Sequence, residues 1–125
     1  MPKPHYIAGM CNIGREEIIR RRNVGVVGVG LTFILLAILI MIGVSPWWRL
    51  FIFFPAALAA AGFLQARFHF CAGFARTGIY NFGPIGENRP VPDETSKAKD
   101  RKKGNQITLY SALIGIIVAL ICVAL

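Results

Sequence analysis

Three long runs of apolar residues, separated by polar and glycine-rich stretches, dominate the pattern of the chain. The first run covers residues 24–44 and contains no charged residue. A helix of this length rises about 31 Å at 1.5 Å per residue, which matches a bilayer core of about 30 Å. The third run, residues 107–125, is also uncharged and long enough to cross a bilayer. Both runs are predicted to be transmembrane helices.

The second apolar run is shorter. We place a transmembrane helix over residues 50–66, after a short outer turn over residues 45–49. Because its strictly apolar part is short for a full span, residues of the turn are predicted to anchor the helix at the membrane interface. These predicted anchors are Trp47, Trp48 and Arg49. Pro55 is predicted to kink this helix.

The segment before the first span, residues 1–23, is basic. It is predicted to be irregular up to residue 14 and helical over residues 15–22, with Asn12 as the N-cap. Acidic and basic residues spaced by four support that helix. The supporting pairs are Glu16 with Arg20 and Glu17 with Arg21.

The segment between the second and third spans, residues 67–106, has two parts. Its aromatic part, residues 68–82, is predicted to be an interfacial helix. The residues on the common face of that helix are Phe70, Cys71, Phe74 and Gly78. The remainder, residues 83–106, is rich in Pro, Gly and Lys, and is predicted to be a solvated linker with a helical stretch over residues 93–103.

The distribution of positive charge predicts the orientation of the spans. Five basic residues lie in residues 1–23 and eight lie in residues 66–106, whereas the turn between the first two spans carries Arg49 alone. Loops rich in Lys and Arg stay on the cytoplasmic side. The N-terminus and the long loop are therefore predicted to be cytoplasmic, and the C-terminus to be outside.

The composition of the chain is also that of a membrane protein. The chain of 125 residues is 55% hydrophobic and has a formal net charge of +8, with a mean hydropathy of +0.57. So small a soluble domain cannot hide that much apolar surface. We therefore predict an all-α integral membrane protein with three transmembrane helices. The basic clusters flank spans, so attraction to anionic lipid explains them and no nucleic acid is expected.

Small residues recur along all three spans at helix-packing spacing, which lets helix backbones approach closely. They would pack either the three helices of this chain against one another or this chain against another subunit. The predicted interface residues are Gly25, Gly28, Ala60, Gly62, Ser111, Gly115 and Ala119.

Candidate chemistry is sparse, since no ionisable residue lies in the middle of a span. This disfavours an ion pathway, a histidine-ligated haem and a secondary transporter. What remains is a set of soft ligands near the cytoplasmic surface. Cys11 and Cys71 are candidate redox or sulfur-handling thiols. With His5 and His69 they also match a zinc site in ligand type, although their spacing fits no standard zinc motif.

Several short motifs resemble a known family. Residues 11–14 (CNIG) precede a basic helix with paired isoleucines, and Phe70-Cys71 follows a second span that ends in Gly62-Phe63. Over residues 10–80 the chain resembles the transmembrane hairpin of the YgaP-like, rhodanese-linked inner membrane proteins. The resemblance implies a self-associating bacterial membrane hairpin with sulfur-related chemistry in some members. This chain adds a third span.

We accordingly expect a non-catalytic membrane protein, either an accessory or structural subunit of a larger complex or a homo-oligomer. Its expected partners are membrane lipids, other transmembrane subunits and copies of itself. No cofactor is predicted. The binding of lipid along the aromatic side chains is an alternative that the sequence leaves open. The alternatives are a thiol-handling protein that uses Cys11 and Cys71, and a metal site at the cytoplasmic surface.

Overall fold

The computed structural model describes residues 5–125, and helices form most of it. Two short strands pair antiparallel, Ile79 with Pro90 and Tyr80 with Arg89. The elements in chain order are α1 (Arg15–Met41), a 3-10 helix (Pro46–Ile52), α2 (Phe53–Phe68), α3 (Ala72–Thr77), β1 (Ile79–Tyr80), β2 (Arg89–Pro90) and α4 (Glu94–Ala124).

Within residues 5–125, three helices are long and apolar enough to cross a membrane: α1, α4, and the continuous stretch Pro46–Phe68 formed by the 3-10 helix and α2. The three predicted spans are therefore present as helices. The basic helix over residues 15–22 and the first span form one uninterrupted helix, because neither proline nor a turn separates them.

The linker predicted over residues 83–106 is much shorter in the structure. Helix α4 begins at Glu94 and continues to Ala124, so the lysine-rich stretch and the third span are one helix. Asp93 is its N-cap and accepts a hydrogen bond from the backbone N–H of Ser96 at 3.1 Å. This contact satisfies a donor in the first turn, where a carboxylate also complements the helix dipole.

Pro55 does not interrupt a regular helix. It is the third residue of α2, and the 3-10 helix precedes that start directly. Backbone N–H groups in the first turn of an α-helix have no carbonyl partner within the helix, so the N–H that proline lacks is not missed there. The irregularity of the second span therefore lies before Pro55, in the 3-10 helix.

Helix α2 packs against both α1 and α4, and glycines set the approach. A Cβ on Gly28 would lie 2.6 Å from the backbone nitrogen of Ala59, and one on Gly62 would lie 2.5 Å from that of Gly25. A Cβ on Gly115 would lie 2.9 Å from the Cβ of Ala57. The rest of the predicted rows is also buried inside the bundle: Ala60, Ser111 and Ala119. These rows pack the chain's own helices.

At one end of the bundle the non-spanning segments fold into a compact unit, which we call the polar cap (residues 5–23 and 69–103). Phe70 and Ala75 of the cap are fully buried where it meets the spans, packed with Ile107 of α4 and Leu64 of α2. The aromatic stretch over residues 68–82 is therefore not one interfacial helix. Helix α2 ends at Phe68 with His69 as its left-handed C-cap, α3 covers only Ala72–Thr77, and Gly78 ends α3 in the same way.

Candidate functional site

A buried carboxylate forms the centre of the polar cap. Glu17 lies in the first turn of α1, is 1% exposed, and pairs with the guanidinium of Arg21 one turn later. Arg20 lies at the limit of an ion pair, 4.0 Å from the same carboxylate. Asn81 donates to Glu17 Oε1 at 3.4 Å from the loop after β1. The predicted pair of Glu17 and Arg21 is present, but it is buried between segments rather than exposed on a helix surface.

Asn12 joins the N-terminal segment to the start of α3. Its side-chain nitrogen donates to the carbonyl oxygen of Cys71 at 3.1 Å, and its side-chain oxygen accepts from the backbone N–H of Cys71 at 2.7 Å. The prediction that Asn12 caps α1 is wrong. Gly14 is the N-cap and has no side chain that could cap the helix, while the Asn12 amide bonds to Cys71 instead.

The Cys71 sulfur has a cationic neighbour. Arg21 Nη2 donates to Cys71 Sγ at 2.8 Å, and the same guanidinium lies 5.1 Å from the ring centroid of Phe74. The backbone N–H of Phe74 also donates to the sulfur, at 3.4 Å. Donors on sulfur favour a reactive thiol, but reactivity also requires access. Cys71 is only 6% exposed, so the arrangement binds segments together and closes the sulfur off.

A second buried carboxylate holds the N-terminal segment against α4. Asp100 is fully buried and accepts from the hydroxyl of Tyr6 at 2.7 Å and from the backbone N–H of Gly9 at 2.8 Å. Tyr6 also stacks on Tyr80, with the ring centroids 4.8 Å apart. Burial, and then the hydrogen bond and charge of Asp100, raise the pKa of Tyr6 above its ordinary value.

The four predicted metal ligands do not come together. Across residues 5–125, no group of three His, Cys, Asp or Glu side chains is placed to hold a metal ion. Cys71 faces Arg21, a cation that would compete with a metal at the sulfur. Cys11 Sγ donates to the carbonyl oxygen of His5 at 3.3 Å, while His69 is the exposed C-cap of α2.

The two candidate thiols have different surroundings. Cys11, Cys71 and Cys122 are all free cysteines. Cys11 is half-buried, and burial raises the pKa of its thiol, which favours the neutral form at neutral pH. It lines a cavity of about 310 Å³ with Arg15, Arg22 and His69. Cys71 instead lies against Arg21 in the core of the cap.

At the opposite end of the bundle, the predicted anchors divide into two kinds. Trp47 and Trp48 are 68% and 52% exposed, as interfacial side chains would be. Arg49 instead bonds within the protein, since its Nη1 donates to the carbonyl oxygens of Cys122 and Leu125, both at 3.0 Å. It thereby adds a donor at the end of α4, where the Cys122 carbonyl oxygen also accepts from the backbone N–H of Leu125 at 3.4 Å.

Sequence reasoning missed the burial of Glu17 and Asp100. For Asp100 a signal existed, because it is the one acidic residue within the basic run 97–103. It also did not include Arg22 in the basic surface next to Cys11. Arg15 and Arg22 are seven residues apart on one helix and therefore share a face, which was readable from their spacing.

Comparisons of the chain with protein-family models, with curated proteins and with solved structures gave no match. The resemblance to the YgaP-like hairpin proteins therefore stays an expectation based on short motifs.

Proposed function

We propose that the chain is a non-catalytic membrane protein of the bacterial inner membrane, with the polar cap on the cytoplasmic side. One observation carries this proposal: the side chains of reactive type are used to hold the cap together. Glu17 and Arg21 pair with each other, and Asp100 binds the N-terminal segment. Within residues 5–125, no buried side-chain nitrogen or oxygen lacks a hydrogen-bond partner. Catalytic sites typically leave such groups available to a substrate.

The proposed orientation rests on the positive charge of the cap. The first turns of α4 carry five basic residues, three of them exposed and two half-buried, and the start of α1 adds others. Loops that carry such charge are retained on the cytoplasmic side. In α4 these residues are Lys97, Lys99, Arg101, Lys102 and Lys103.

Within the membrane, we propose association with other transmembrane helices or with a second copy. Gly28 and Gly115 pack inside the bundle, so they are not available to a partner. Gly30 differs, because a Cβ there would meet nothing within 4 Å. An outward glycine on a span permits close approach of a neighbouring helix. The face of α1 around Gly30 is therefore the proposed contact.

Native mass spectrometry of the gently solubilised full chain from its own membrane tests the proposal. We expect a defined assembly, either with other subunits or of several copies, and we expect Gly30→Leu to weaken it. Val29→Leu is the matched control, since Val29 is exposed on the same helix and lies about 100° around it from Gly30. A monomer in the wild type, together with a covalent or metal adduct, would overturn the non-catalytic proposal.

A thiol function at Cys71 is the second candidate, because Arg21 donates directly to its sulfur. Alkylation by N-ethylmaleimide separates the two candidates. If Cys71 is structural, it reacts only after the protein is unfolded, while the more exposed Cys11 reacts in the folded state. Reaction of Cys71 in the folded protein would favour the thiol function.

A further inference from the structure

Two adjoining cavities lie beside the end of α2 and the start of α1. The first, of about 310 Å³, is lined by residues of α1 and by Cys11 and His69. The second, of about 380 Å³, is lined by Phe63, Ala66 and Arg67 of α2. Both share Arg22 and His69. We call the combined surface the basic groove, defined by Arg15, Arg22, Arg67, His69, Cys11 and Phe63.

The cations of the basic groove are not neutralised by the protein. In the part of the chain that the structure describes, Arg15, Arg22 and Arg67 form neither an ion pair nor a side-chain hydrogen bond. Other arginines do have partners. Arg21 pairs with Glu17, and Arg49 donates to carbonyls of α4. Three guanidinium groups with open donors thus surround one surface.

Acidic residues nearby do not cancel this charge. Glu16 lines two other cavities, one with Arg20 and one with Arg15, Gly83 and Pro84, and among the described residues it forms no ion pair with Arg15. Glu17 is buried and already paired with Arg21. The groove therefore attracts an anion. A guanidinium matches phosphate in particular, because its planar donors can bind two oxygens of the phosphate together.

The walls of the groove indicate that the anion carries an apolar part. Ile18 and Ile19 lie between Arg15 and Arg22 in the lining of the first cavity. Ile19 also lines a cavity of about 580 Å³, whose walls include Val24, Val27 and Leu58 on the apolar stretches of α1 and α2. Cationic groups at one end and an apolar channel leading into the spanning region match the two parts of a phospholipid.

We propose that the basic groove binds the phosphate of an anionic phospholipid, with an acyl chain along the adjoining apolar cavity. The inference rests on the proposed membrane location and does not depend on the subunit role. If lipid binding fails while native mass spectrometry finds an assembly, the subunit role stands. If lipid binds and no assembly is found, the lipid site is supported and the subunit role is not.

A lipid titration of the full chain in neutral detergent, followed by native mass spectrometry, tests this inference. The probes are dioleoyl phosphatidylglycerol, dioleoyl phosphatidylcholine and inorganic phosphate. We expect phosphatidylglycerol to bind more tightly than phosphatidylcholine, and Arg22→Gln combined with Arg67→Gln to weaken its binding by about tenfold or more. Inorganic phosphate should not displace the lipid at comparable concentrations.

The matched control removes the same charge elsewhere. Arg89→Gln combined with Arg101→Gln lowers the net charge equally, and both residues are exposed and do not line the groove. We expect this control to retain wild-type affinity for phosphatidylglycerol. An equal loss in both double variants would overturn the site, since binding would then follow net charge alone. Displacement by inorganic phosphate would identify a soluble phosphate as the ligand and overturn the lipid assignment.

Cys11 reports on the position of the lipid, because it lines the groove and is half-buried. Phosphatidylglycerol is expected to slow alkylation of Cys11 by N-ethylmaleimide several-fold, and phosphatidylcholine is expected to have little effect. The protection should disappear in the Arg22/Arg67 double variant. A Cys11 rate that phosphatidylglycerol leaves unchanged would overturn the proposed location.

Discussion

The spanning region and the polar cap are held together by different contacts. In the spanning region, glycine and alanine bring α1 and α4 against α2, and the gain is close van der Waals contact between backbones. In the cap, hydrogen bonds join residues far apart in sequence. Asn12 bonds to Cys71, and Asp100 bonds to Tyr6 and Gly9. The spanning region depends on side chains that are small or, at glycine, absent, whereas the cap depends on particular polar side chains.

This difference predicts how each region responds to change. A packed row of small residues tolerates no added volume, and its polar member Ser111 donates within its own helix, to the carbonyl oxygen of Ile107. A buried polar network tolerates no loss of a partner, because the group left behind keeps its full desolvation cost. Substitutions that remove atoms should therefore damage the cap, and substitutions that add atoms should damage the spans.

The largest effect is expected for Glu17→Ala. The change leaves the Arg21 guanidinium, whose side chain is 12% exposed, without its carboxylate. Breaking a buried ion pair by removing one partner costs about 3–5 kcal/mol. The free energy of unfolding in mixed detergent micelles measures it. Glu16→Ala is the control, since Glu16 is exposed and should change stability by less than about 0.5 kcal/mol. Equal losses in the two variants would contradict the buried network.

Asn12→Ala should have the next largest effect. It removes both hydrogen bonds between the Asn12 amide and the backbone of Cys71, a buried residue. The backbone N–H of Cys71 is left without its partner, which costs about 1–3 kcal/mol, whereas its carbonyl oxygen still accepts from the backbone N–H of Ala75. Hydrogen exchange should show the loss at the amides of Cys71 and Phe74, with amides in the middle of α1 and α4 unchanged. Asn105→Ala, at an exposed position of α4, is the control. Exchange that rises evenly along the chain would show that cap and spans unfold together.

The same contrast explains what the sequence could predict. Long uncharged runs predict the spans because hydrophobic length is a local property. The cap depends on pairs such as Asn81 with Glu17 and Tyr6 with Asp100, which lie 64 and 94 residues apart. No local pattern encodes these pairs. The stretch over residues 68–82 shows the consequence. Its aromatic face predicted a membrane-surface helix, whereas Phe70 lies in the core of the cap.

The close packing of the spans is tested by adding a single methyl group to a glycine of α1. Gly28→Ala places a Cβ within 2.8 Å of several atoms of Ala59, and should lower the free energy of unfolding by about 1–3 kcal/mol. Gly30→Ala meets nothing within 4 Å and should be neutral or slightly stabilising, by up to about 1 kcal/mol, because alanine favours the helix. The two variants differ only in which face of α1 carries the methyl group. Equal stability would argue against the close packing of α1 on α2.

The smallest effect concerns pH and the attachment of the N-terminal segment. Burial and Asp100 raise the pKa of Tyr6 above its ordinary value of 10.0. A detached Tyr6 therefore ionises at lower pH than an attached one. The stabilisation is complete below pH 10 and falls as the pH rises toward the raised pKa. The difference in tyrosinate absorbance between the wild type and Tyr6→Phe measures this titration.

Asp100→Asn should return the pKa of Tyr6 part of the way toward 10, since it removes the carboxylate charge and leaves the burial that is the largest cause of the shift. An unchanged titration of Tyr6 in this variant would mean that Asp100 does not hold the segment. The N-terminal segment would then be held to the rest of the cap by apolar and stacking contacts, such as that of Tyr6 on Tyr80, rather than by hydrogen bonds to the buried carboxylate of Asp100.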